Sequence, residues 1–155
     1  MKPAAAGAGW ETMEVLTVGL PFCVFKFAAG VALLGGGGPA SALGGVLVAL
    51  GAVDVLFNAA NLGGLLAARR RVLDACFFSL AAHRLRPAAR REGRILRDLG
   101  NSLDVLLSFS LVAYMVGAGR LGGLPPRVLS CWNVAVVSNV LGAGLGRLAE
   151  SLRRL

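Results

Sequence analysis

The sequence predicts an all-α, polytopic membrane protein: four transmembrane helices arranged as two helical hairpins joined by a basic cytoplasmic linker. Three observations predict it. Hydrophobic residues make up 56% of the 155-residue chain and charged residues only 15%, whereas soluble domains carry about 25% charged residues. The apolar residues fall in four long runs, each close to the roughly 20 residues that carry a helix across about 30 Å of hydrocarbon. The basic residues collect between and after those runs, as they do in cytoplasmic segments.

The first hairpin occupies residues 1–68. Its first helix is expected over about 14–34, interrupted by Pro21 and Lys26. A proline is tolerated inside a membrane helix because neighbours can satisfy the freed carbonyl. Ala40-Ser41-Ala42 resembles a signal-peptidase site. However, Lys26 lies inside the apolar stretch and Glu11 and Glu14 stand where positive charge is required, so the segment is expected to persist as a mature helix. Gly35-Gly36-Gly37-Gly38-Pro39 imposes a turn. The second helix is expected over about 43–68, with Asp54 its one charge, and ends at Arg69-Arg70-Arg71.

The linker spans residues 69–98 and holds nine arginines against Asp74, Glu92 and Asp98, a net of +6. Residues 72–80 are too short to span and are expected to lie in the membrane interface. The stretch from Arg90 to Arg97 is expected to be a solvated basic helix or arm. The second hairpin, 99–155, has helices expected over about 101–117 and 128–146, followed by a basic tail. An outer loop from Gly119 to Pro126 joins them. With the linker and tail inside, both termini are expected to be cytoplasmic.

An internal duplication is suggested by Gly36-Gly37-Gly38-Pro39 against Gly122-Gly123-Leu124-Pro125, each ahead of a helix. Asn61-Leu62-Gly63 is likewise echoed by Asn139-Val140-Leu141-Gly142 with one residue inserted. Two-helix units return to their starting side, so such copies would be parallel.

Lys26 lies near the middle of the first helix, where a bare charge is expensive. Counted from the shared outer turn, Asp54 lies at a similar depth on the next, antiparallel helix, and an ion pair is expected. Asp54, Asn58 and Asn61 fall at i, i+4 and i+7 on one helical face. Asn101, Asp104 and Ser108 make a stripe on the third helix, with Asp104 close to the cytoplasmic boundary. Asn133, Ser138 and Asn139 do so on the fourth. Lipid cannot hydrogen-bond such groups, so they are expected inside the bundle. They serve either as interhelical glue or as the lining of a proton or ion path. Gly142 and Gly146, and Ala59 and Gly63, stand four apart and permit close helix approach. Arg69, Arg70, Arg71, Arg90, Arg91 and Arg94 are placed to meet anionic lipid.

The net charge of +8 reads as membrane orientation. Neither aromatic interleaving nor a basic fold accompanies it, and no nucleic-acid partner is expected. One histidine, His83, in the linker, and the cysteines Cys23, Cys76 and Cys131 without a CxxC spacing offer no haem, zinc or disulfide framework. No nucleophile–base set can be assembled, and Gly35–Gly38 lacks the lysine and hydroxyl of a phosphate loop. The expectation is a non-enzymatic membrane subunit, without cofactor, that stabilises a larger membrane assembly. Its partners would be lipids, other membrane proteins or a second copy. The alternative is a small dimeric proton- or ion-coupled transporter or channel using Lys26, Asp54 and Asn58.

Overall fold

The computed structural model describes residues 4–73, 76–78, 80–81 and 90–152. Among them all regular structure is helical. The first span is made of α1 (Ala4–Glu14), a π-helical turn (Val15–Gly19) and α2 (Leu20–Leu34). The second span is α3 (Gly38–Ala68), the third α4 (Arg90–Gly117) and the fourth α5 (Pro126–Leu152). Four stretches within them, Gly9–Leu34, Gly38–Ala68, Asp98–Gly117 and Pro126–Gly146, are long and apolar enough to cross a membrane. By length and composition the chain is therefore an integral membrane protein.

The helices overrun the apolar runs at the basic end. Arg, Leu and Glu are good helix formers, so α4 begins at Arg90, eleven residues before the expected start of its span. At the opposite end, Pro39 and Pro126 sit in the first turns of α3 and α5, where a missing N–H costs nothing. The turn between the first two spans needs left-handed backbone at Gly37 (φ 68°) and Gly38 (φ 53°).

The first span is the centre of the molecule. Half of its most apolar stretch is buried, against 22% for the second and third and 11% for the fourth. It packs on α3, α4 and α5 in turn, while α4 and α5 make little direct approach to each other. The two halves of the chain are thus not packed alike.

The closest packing is between the first span and α3. Gly30 opposes Gly44, Cys23 opposes Gly51 and Gly19 opposes Asn58, so the two run antiparallel. The buried residues of α3 are Gly44, Leu47, Gly51, Asp54, Asn58, Asn61 and Leu65. Their spacing alternates three and four, the 3.5-residue repeat of a left-handed crossing. A Cβ on Gly44 would stand 2.7 Å from the Gly30 carbonyl, so only glycine allows this approach.

The π turn has a covalent cause beside it. Pro21 has no N–H to return to the Thr17 carbonyl, the bond an α-helix requires there. The side-chain amide of Asn139 on α5 donates to that carbonyl at 3.0 Å. One residue earlier, the Leu20 N–H reaches back to Val15 O, the wider π register. Gly142, one turn beyond Asn139, lets α5 close on Thr17, and Gly146 packs near Trp10.

Candidate functional site

Three spans bring charge to one buried point. Lys26 on α2 is fully buried. Its Nζ lies 2.5 Å from Asp54 Oδ2 on α3 and also contacts Asp104 on α4. The pair expected from sequence is therefore a cluster of one lysine and two carboxylates. Asp104 is buried within the protein, its residue exposure being 8%. A third charge at this depth changes the balance, because two ionised carboxylates and one ammonium leave a net negative charge where charge is costly.

Asp54 is held at both oxygens. Oδ2 accepts from Lys26 and Oδ1 accepts the backbone N–H of Phe77 at 2.8 Å. Asn61, two turns nearer the basic end, accepts the N–H groups of Val72 and Leu73 at 3.1 and 2.8 Å. The described part of the linker therefore turns inward and climbs α3 by about 10 Å, at 1.5 Å per helical residue. Cys76, buried, brings its thiol to within 3.9 Å of the Gly100 carbonyl. This segment fills the space between α3 and α4. Irregular backbone at such depth is tolerated where protein buries it.

Asn58 donates from Nδ2 to the Asp54 carbonyl at 2.9 Å and to Cys23 Sγ at 3.4 Å. The polar face of α3 is thus wholly engaged within the chain. Ser108, one turn along α4 from Asp104 and on the same inward face, is fully buried. Its hydroxyl has no hydrogen-bond partner among the described residues. Ser102 and Ser130, by contrast, each return to the carbonyl four residues back.

A cavity of about 110 Å³ borders this cluster at Asp104. Glu14 and Arg71 stand at its mouth. Val15, Val18, Gly19 and Phe22 form one wall, and Asn58, Asn101 and Asp104 also line the cavity, Asn58 and Asp104 being buried. The π turn supplies three of those wall positions, as such turns often do at working sites. Arg71 bridges Glu14 at 2.5 Å and Glu11 at 3.2 Å. Beyond Lys26 the core is apolar: Phe25, Ala28, Ala29, Leu47, Met115, Leu124 and Trp132 form one cluster, with the Phe25 and Trp132 rings 5.0 Å apart.

Other sequence candidates lie apart from the cluster. Asn139 is half-buried at Thr17, and Asn133 is exposed on α5. Gly142 and Gly146 face the first span, whereas Ala59 and Gly63 are exposed on the outer face of α3. Arg69 and Arg70 are exposed. Arg90, Arg91 and Arg94 begin α4, with side chains outside the described residues, as is His83. Among the described residues no three His, Cys, Asp or Glu side chains gather to hold a metal ion. Cys23 and Cys76 are buried cysteines and Cys131 an exposed one, none of them in a disulfide. Glu11, Glu14 and Cys76 carry no signal in the sequence that would place them at this site, whereas Ser108 is expected there with Asn101 and Asp104. Comparison with known protein families, curated proteins and solved structures finds no match.

Proposed function

We propose that this protein is a small proton- or cation-coupled membrane transporter or channel, working as a dimer, with both termini cytoplasmic. The observation that carries this reading is the cavity lined by Glu14, Arg71 and Asp104, whose carboxylate contacts the buried Lys26 that also pairs with Asp54. A purely structural ion pair needs one carboxylate and no water access. Here a second carboxylate lines the cavity wall, and an excess of buried negative charge suits a cation. The orientation rests on the arginines that cluster at the mouth end of the bundle, where exposed Arg69 and Arg70 would meet anionic lipid.

Flux into vesicles tests it. Purified protein in liposomes, driven by a gradient of pH or of a monovalent cation, is expected to carry flux severalfold above empty liposomes. Asp104→Asn is expected to abolish that flux and Asn133→Ala to leave it unchanged. Equal flux in empty liposomes would sink the proposal.

A second reading, a non-enzymatic subunit of a larger membrane assembly, is favoured by the outer face of α3. Gly45, Ala49, Ala52, Ala59 and Gly63 are exposed there at near-helical spacing, and a Cβ on Gly45 or Gly63 would meet open space. Small outward residues permit another helix to approach closely. Native mass spectrometry after gentle solubilisation separates the two. A stoichiometric complex with larger membrane proteins supports the subunit; a homodimer supports the transporter.

A further inference from the structure

We propose that Asp104 is the proton-binding group of this site, loaded from the cavity at the basic end, with Ser108 as the acceptor for the bound proton. The inference deepens the transport reading by naming the ion and the residue that takes it.

The argument starts from the oxygens available. Both oxygens of Asp54 already accept, one from Lys26 and one from the Phe77 amide. Asn58 donates to Asp54 and Cys23. Asn61 accepts two linker amides. A Ca²⁺ ion takes six to eight oxygens, more than the open oxygens of this cluster supply. A proton needs one carboxylate and one acceptor. Asp104 lines the cavity and contacts Lys26. Ser108, one helical turn away on the same buried face, holds a hydroxyl with no partner among the described residues. The two side chains are not hydrogen-bonded to each other in this structure; a change of rotamer on protonation is needed for the Asp104 carboxyl to donate to that hydroxyl. Protonation also leaves Lys26 and Asp54 as a neutral pair.

The step is a simple transfer. Hydronium in the cavity gives its proton to an Asp104 oxygen: one O–H bond breaks, one forms, and water remains. The charged and titratable groups facing the site are Glu14, Cys23 and Lys26 of the first span, Asp54 of α3, and Arg71 and Cys76 of the linker. Among the described residues, Asp104 both lines the cavity and stands a turn from a buried hydroxyl without a partner.

Infrared difference spectra of the full chain in liposomes, recorded across a pH step, test this. A protonated-carboxyl band is expected in the wild type and not in Asp104→Asn. Ser108→Ala is expected to keep the band but shift its frequency, and Asp104→Glu to retain a band. A band that survives Asp104→Asn unchanged, or a wild type with no band at any pH, overturns the proposal. A Ser108→Ala band at the wild-type frequency removes Ser108 from it. Flux is read from the same liposomes. A band without flux leaves the proton site standing and removes the transport reading, whereas flux without a band removes the proton site alone.

Discussion

Lys26 makes its neighbours interdependent. Removing one member of a buried charge set leaves the others uncompensated, at a cost of about 3–5 kcal/mol. Lys26→Met is therefore expected to lower unfolding stability by that amount in a detergent titration. The triple change Lys26→Met, Asp54→Asn, Asp104→Asn is expected to recover most of it, since an uncharged set of similar volume needs no compensation. Should the triple variant be no better than Lys26→Met, the cluster is not an electrostatic unit. The Lys26–Asp54 contact was legible from sequence, because two charges at equal depth on adjacent helices have few other solutions. The place of Asp104 was not. Asp104 lies on a helix that does not follow the first span in sequence, and periodicity alone does not say which helices meet. The amide of Phe77 left no trace in the sequence either, since every residue but proline offers the same donor.

At the scale of elements, glycine position divides sharply. Gly44→Val places a side chain against backbone, where nothing flexible can yield. Overpacking of this kind costs about 1–3 kcal/mol or more. Gly45→Val, one residue on, meets open space and is expected to stay within about 0.5 kcal/mol, as exposed substitutions do. Thermal unfolding of the two variants side by side checks this; equal losses would refute the seam. The Asn139–Thr17 bond gives a second test. Asn139→Leu orphans a carbonyl, at about 1–3 kcal/mol. In a Pro21→Ala background the restored N–H can take that carbonyl, and the same substitution is expected to cost less. A double-mutant cycle measures the difference. The four spans and the inward face of α3 were readable from periodicity. The π turn was not, because it needs Pro21 and a donor 122 residues away in sequence.

Across the whole molecule, three spans lean on one. The apolar lengths that define the four spans carry no information on which helices touch, so that arrangement was invisible in the sequence. It has a chemical readout in the thiols. Cys131 is exposed on α5, while Cys23 and Cys76 are buried. A membrane-permeant maleimide is expected to modify Cys131 alone in the folded protein and all three after denaturation, as read by mass spectrometry. Early modification of Cys23 would mean that the first span is not the buried centre.

The position of Lys26 also bears on how the chain enters a membrane. Lys26 leaves the ribosome first, and its first counter-charge, Asp54, lies 28 residues later in the chain. Until then the leading helix carries a lone ammonium that hydrocarbon disfavours by a few kcal/mol. The first helix is thus poorly suited to partition by itself and well suited to wait at the insertion machinery for the second. The unit released into the bilayer is then a matched pair, and the order of synthesis becomes a check that α3 has arrived.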